Sequence, residues 1–168
     1  MDSTELRAVQ APLKARYRED PDSAVVTLKA EGALDSQAVA CSVETGRALV
    51  TAGLHPASGG DGSLACSGDM LLQALVACAG VTLRSVATNR GIEVNGTVRA
   101  EGDLDFRGTL GVDKEAPVGF RSIRLAFELQ TDADAEQLSK LLELTERYCV
   151  VLQTIAGSPE LAVDLGRR

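Results

Sequence analysis

The sequence predicts an α+β fold in which antiparallel strands pack around two long buried helices, and three observations lead there. Ile92, Val94, Val98 and Ala100 alternate with polar residues, as do Ile123, Leu125, Phe127 and Leu129, which is the period-2 pattern of half-buried strands. The run from Met70 to Val81 is apolar nearly all round, and a helix hydrophobic on every side is buried on every side. Leu138, Leu142, Thr145, Cys149 and Leu152 follow the i, i+4, i+7, i+11, i+14 spacing of one inward helix face.

The elements can be taken in order. Residues 4–18 are helix-compatible and stop at Asp20-Pro21-Asp22, giving an N-terminal helix or arm over residues 1–22. Val25-Val26-Thr27-Leu28, the alternating Val39, Cys41 and Val43, and Ala48-Leu49-Val50-Thr51 suggest a three-stranded antiparallel meander, with turns at 32–37 and 45–46. Cys41 shares the apolar face of its strand and reads as packing. A Gly-rich loop follows over residues 55–66, after which Ser67 offers an N-cap and Asp69 complements the positive end of a helix over 67–89. That helix is about 30 Å long, the diameter of a small domain. Gly91 provides its stop. The two alternating strands flank a polar, Gly-rich connection over 102–119, and a capping-box-like signal at Thr131-Asp132-Ala133-Asp134 opens a last helix running to Gly157-Ser158-Pro159.

Composition narrows the function classes. A chain of 168 residues with 45% apolar and 24% charged residues is one ordinary globular domain. Its net charge of −7, without a basic patch and with only two Tyr and three Phe, argues against nucleic acid as a partner. No stretch approaches 18 consecutive apolar residues and the N-terminus is charged throughout, so neither a membrane span nor a secretory signal is expected and the protein reads as cytoplasmic. Thiols stay reduced in that compartment, which makes Cys41, Cys66, Cys78 and Cys149 core residues, redox thiols or ligands before disulfides. Spacings of 25, 12 and 71 between them match no CxxC pair, and the single histidine, His55, reads as an exposed loop residue, so no metal site is expected.

The serines and threonines lack a histidine dyad, so Cys78 and Cys149, one on each buried helix, are the only grouping suited to covalent chemistry. Buried cysteine is equally ordinary packing material, and the residue types alone leave both readings open. Cys66, at the end of the Gly-rich loop, reads as a third redox thiol or as a semi-exposed bystander.

The segment Ser67-Gly68-Asp69-Met70-Leu71-Leu72-Gln73-Ala74-Leu75-Val76-Ala77-Cys78, with Glu146-Arg147-Tyr148-Cys149-Val150-Val151-Leu152-Gln153-Thr154-Ile155 after it, resembles the OsmC/Ohr family, the osmotically inducible and organic-hydroperoxide-resistance proteins. The order of elements agrees from about residue 23 to residue 165. The resemblance implies an intertwined homodimer, a single OsmC-like domain over 23–168 and a site near the subunit interface. It implies that Cys78 is peroxidatic and Cys149 resolving, that the partners are an organic hydroperoxide and a dithiol reductant, and that no cofactor is required. An OsmC-fold dimer that binds a small ligand or protects against stress without peroxidase activity is the alternative. The family's proline before the central helix is replaced here by Ser67-Gly68, Gly68 stands where its peroxidases carry Glu, and the proline that often follows the second cysteine is Val150.

A peroxidatic thiol must be ionised. A free thiol has a pKa of about 8.5, and apolar neighbours such as Leu75, Val76, Ala79 and Val81 push it higher, so a cation is expected beside Cys78. The family draws an arginine from its N-terminal hairpin. Arg47 is the candidate, held in turn by Asp69, ahead of Arg16 and Arg18; Arg84, six residues past Cys78, points to another side of the helix.

Overall fold

The two clearest alternations in the sequence become the two longest strands, neighbours in one antiparallel sheet. The structure is a computed structural model describing residues 3–34, 41–43 and 52–165. Along the chain it contains α1 (Ser3–Glu19), β1 (Val25–Leu34), β2 (Cys41–Val43), β3 (Ala52–Gly53), β4 (Ala65–Cys66), α2 (Ser67–Asn89), β5 (Asn95–Asp105), α3 (Phe106–Thr109), β6 (Phe120–Gln130), α4 (Ala135–Tyr148) and α5 (Val150–Gly157), with 3₁₀ turns at Pro21–Ala24 and Pro56–Ser58. The main sheet has the order β2-β1-β5-β6, antiparallel throughout, and β3 pairs with β4 in parallel. The fold is mixed α+β, with α2 lying on one face of the sheet.

Register explains which face. Val98 lies opposite Phe127 and Ala100 opposite Leu125, and all four turn inward onto α2. The outward residues are charged: Arg124 donates to Asp103 at 2.6 Å, and Thr27 and Ser122 donate to the same carboxylate. Such exposed pairs contribute little stability, but they keep this face in water.

Several boundaries differ from those the sequence predicts. The connection expected from residue 102 starts later, because Gly102 to Asp105 are held between two strands, with Leu28 opposite Gly102 and Val25 opposite Asp105. Gly102 is a strand residue whose missing side chain makes room for Phe120; a Cβ there would come within 2.4 Å of that ring. β1 likewise runs through Gly32, where a turn is expected, to Leu34. The third strand predicted at 48–51 and the turn at 45–46 lie outside the described residues. Ser67 is the first residue of α2 and not its cap, and the Cys66 that occupies the cap position makes no side-chain capping bond.

α2 has the predicted bounds and ends as predicted, with Gly91 at φ 67° and its N–H donating to the Thr88 carbonyl. One side of it is fully buried, through Leu72, Leu75, Val76, Ala79, Leu83 and Ala87, against β1, β5, α4 and α5. The other side is not: Met70 is 37% exposed and Leu71 and Val81 are each 39% exposed. Burial all round is therefore not achieved within one chain, since one sheet and two short helices cover only part of the circumference. Among the described residues α2 alone is long and apolar enough to cross a membrane, and its most apolar residues are this core.

The N-terminal helix packs on α3 and the 3₁₀ turns. Tyr17, fully buried, donates its hydroxyl to the Ala57 carbonyl at 2.7 Å, and Gln10 Nε2 donates to the Ser58 carbonyl at 3.3 Å. At the other end of the chain, α4 opens with a capping box three residues later than the Thr131–Asp134 signal, Asp134 accepting from the Gln137 N–H while the Gln137 side chain accepts from the Asp134 N–H.

Candidate active site

The sequence predicts one unbroken last helix with Cys149 on its buried face. Cys149 is buried, with no exposed surface, but the helix breaks there. Cys149 has φ −71° and ψ 104°, outside the helical region, and serves as both the C-cap of α4 and the N-cap of α5. Its N–H still donates to Thr145 O and its carbonyl accepts from Gln153 N, each at 2.9 Å. A helix start leaves its first N–H groups without intrahelical partners. In an unbroken helix the Val150 N–H would bond to the Glu146 carbonyl four residues back. Here Gln153 Nε2 donates to that carbonyl at 2.8 Å, and the freed amides turn elsewhere.

They turn to sulfur. The N–H groups of Val151 and Val150, the Cys149 thiol and the Thr82 hydroxyl lie near enough to Cys78 to favour its ionised form. Burial pushes the Cys78 thiol up, but these four donors together outweigh it and hold its pKa below the ordinary value. Cys149 goes the other way. Burial raises it, the N–H of Leu152 offsets part of that, and the charge that Cys78 carries when ionised raises it further. The two thiols are therefore displaced in opposite directions, Cys78 below and Cys149 above the ordinary cysteine value, so that Cys78 is the readier of the two to ionise.

Of the residues that the sequence nominates, the structure brings Cys78 and Cys149 together across 71 positions of chain. Arg47 lies outside the described residues. Asp69 precedes Cys78 by nine residues on the same helix, which places it on the opposite side and about 13 Å away along the axis. Burial raises the Asp69 carboxyl above its ordinary value, and the nearby His55 offsets only part of that. Arg16 stacks on Tyr17, 5.0 Å from its ring, and Arg18 is exposed at the end of α1. Arg84 Nη1 donates to the Val94 carbonyl at 2.6 Å, on another side of α2 as expected. Among the described residues, no cation is among the groups that shift Cys78.

His55 is not the exposed loop residue that its Pro/Gly surroundings predict. Its ring stacks on Phe106 at 5.0 Å, and Nδ1 accepts the Ala57 N–H at 3.0 Å. With Cys66, Leu71 and Phe120 it lines a cleft of ≈ 420 Å³ at the start of α2, away from Cys78. A second groove, of ≈ 530 Å³, runs along the C-terminal half of α2; Val81, Thr82, Val86, Leu144 and Tyr148 line it, with Asn89 and Arg90 toward the end of the helix, and neither thiol is among its lining residues. Among the described residues there is no cluster of three or more His, Cys, Asp or Glu able to hold a metal ion.

Sequence reasoning did not find Thr82, the amides of Val150 and Val151, or Gln153. The one available signal was the β-branched pair Val150-Val151 directly after Cys149, a mild disfavouring of continued helix.

The chain matches the family of OsmC-like proteins over residues 60–164. Among solved structures it is similar to an OsmC-like hydroperoxide resistance protein from Jannaschia sp. CCS1, with a TM-score of 0.56 and 16% sequence identity, over 86% of this chain and 95% of that one. At that identity the likeness is one of fold. No curated protein matches it by sequence.

Proposed function

We propose that this chain, which belongs to the OsmC-like protein family, is a thiol-dependent peroxidase that reduces organic hydroperoxides through a cycle of Cys78 and Cys149. The observation that supports this reading most is the juxtaposition of the two thiols where α2, α4 and α5 meet, with Cys78 held below and Cys149 above the ordinary cysteine pKa. The Cys78 thiolate attacks the distal oxygen of ROOH, the O–O bond breaks, and the alkoxide leaves as ROH after taking a proton; Cys78 is oxidised to the sulfenic acid. The Cys149 sulfur then attacks that sulfenic sulfur, water leaves, and a Cys78–Cys149 disulfide remains. A dithiol reductant, itself oxidised to a disulfide, restores both thiols. No metal or organic cofactor enters this cycle.

Ionisation alone does not account for such catalysis. Lowering a thiol pKa from about 8.5 to about 6 raises the thiolate fraction at pH 7 roughly 30-fold. Donors must also stabilise the charge moving onto the leaving oxygen. The Thr82 hydroxyl and the α5 amides lie where they serve the sulfur, and Arg47, if the hairpin brings it to the site, would serve the oxygen. The groove walled by Val81, Val86, Leu144 and Tyr148 suits the apolar body of an organic peroxide. The exposed apolar strip of Met70, Leu71 and Val81 along α2 suits a second copy of the chain, in keeping with a homodimer.

Intact mass under non-reducing conditions tests this reading after one equivalent of an organic hydroperoxide. Loss of two hydrogens, mapped to the Cys78 and Cys149 peptides, is the expected result. An unchanged mass leaves the alternative, a small-ligand-binding or stress-protective protein on the same fold.

A further inference from the structure

We infer that Gln153 is a positioning residue for the thiolate: by occupying the Glu146 carbonyl, its side chain keeps the α4–α5 break open and so keeps the amides of Val150 and Val151 aimed at Cys78. The inference rests on reading Cys78 as the reacting thiol, and it adds a side chain on the far side of Cys149 to that site.

The argument is a competition for one acceptor. In a continuous helix the Glu146 carbonyl belongs to the Val150 N–H. In this chain it accepts Gln153 Nε2 at 2.8 Å, while the Cys149 carbonyl accepts the Gln153 backbone N–H at 2.9 Å. Gln153 thus holds both sides of the break with one residue: its backbone continues α5, and its amide ties α5 back to the last turn of α4. Without that amide, the Glu146 carbonyl is open to the Val150 N–H, and each step toward a regular helix withdraws a donor from Cys78. No residue nearer the sulfur performs this task, since Val150 and Val151 contribute through their backbones only. The side chain of Gln153 is exposed and belongs to no core cluster, so its removal leaves the interior intact.

The test is the pH dependence of Cys78 alkylation in the reduced full-length protein, followed by peptide mass mapping with iodoacetamide as probe. Gln153→Met keeps length and removes the donor. Gln153→Glu also removes it and sets a carboxylate against the carbonyl. Loss of one hydrogen bond of ordinary strength corresponds to roughly a threefold to tenfold change in the equilibrium it biases. We therefore expect Gln153→Met to raise the alkylation midpoint by about half a pH unit to one unit and to slow labelling at pH 7 by that factor, with rates at pH 10 unchanged. Gln153→Glu should shift it at least as far. A profile identical to the parent's in both variants, whatever their melting temperatures, overturns the inference, because a merely structural role lowers Tm without moving the Cys78 midpoint. The measurement consumes no peroxide. If the midpoint moves while the parent protein reduces no hydroperoxide, the peroxidase reading fails and the positioning role stands.

Discussion

Cys66, which caps the start of α2, and Cys78, in its middle, meet opposite circumstances. Cys66 stands at the N-terminal end of α2, beside the helix's own positive pole, yet its side chain makes no capping bond and opens into an apolar cleft with His55 and Phe120. Cys78 lies in the middle of α2, where every amide of that helix is already committed to the backbone, and groups from α4 and α5 together with Thr82 lower its pKa. The amides it uses belong to another helix, α5, which begins at the right place only because α4 stops at Cys149. A thiol is thus prepared for chemistry less by its position in its own element than by the end of a neighbouring one.

The strongest way to break this comparison is to remove each sulfur in turn. Cys78→Ser should abolish hydroperoxide turnover, and Cys66→Ser should leave it at the parent's rate; steady-state assays with an organic hydroperoxide and a dithiol reductant measure both. Turnover in Cys78→Ser, or its loss in Cys66→Ser, would exchange the roles assigned here. Cys149→Ser should permit one oxidation per chain and then stall at the sulfenic acid or oxidise beyond it, visible as added oxygen in the intact mass.

A finer probe removes the donor and keeps the sulfur. Proline is tolerated in the first turn of a helix and has no N–H. Val151→Pro should therefore leave α5 formed and remove one of the backbone donors that lower the Cys78 pKa. Hydrogen bonds to charged groups contribute about 1.5–3 kcal/mol, which is roughly one to two pH units of upward shift in the Cys78 midpoint. In the parent, because folding lowers the Cys78 pKa, alkylation should fall as pH drops through a midpoint below that of an ordinary thiol and level off above it. Cys149 should stay unreactive until the pH is well above that of an ordinary thiol. A single titration shared by both cysteines would contradict the opposite displacement of the two thiols.

The smallest effect is expected at Asp69. Asp69→Asn should leave the Cys78 profile within a few tenths of a pH unit of the parent's, because the carboxylate lies on the opposite side of α2, near His55. A shift as large as that of Val151→Pro would return Asp69 to the thiol site.

Period and composition made the frame legible. The alternation in β5 and β6 and the apolar run of α2 are patterns of side chains, and they fixed element type, and for α2 the ends as well, because burial acts on side chains. Cys78 and Cys149 were legible as a pair for the same reason, since thiols are few and their chemistry is specific. The break at Cys149 was not. A period-3.6 stripe continues across a one-residue interruption when the residues on both sides still face the core, as Thr145 and Leu152 do, so the stripe hid the break. Cys78's donors were missed because two of them are backbone groups and carry no residue identity. Asp69 was misplaced by a simpler error, since nearness on one helix is not nearness on one face.

The supply of hydrogen bonds to Cys78 by backbone amides has a bearing on mutational drift. Val150 is 70% exposed, and any residue except proline at 150 or 151 presents the same N–H in the same direction. Position 150 can wander through sequence space while its amide stays in place, whereas Val151 also packs against the core and is held to apolar residues. A saturation library at both positions, selected for survival under hydroperoxide, should return most residues at 150 but mainly apolar ones, and few prolines, at 151. The constraint lies in where a helix begins, and selection would see it at Gln153 and Cys149 before it saw it at the residues that touch the sulfur.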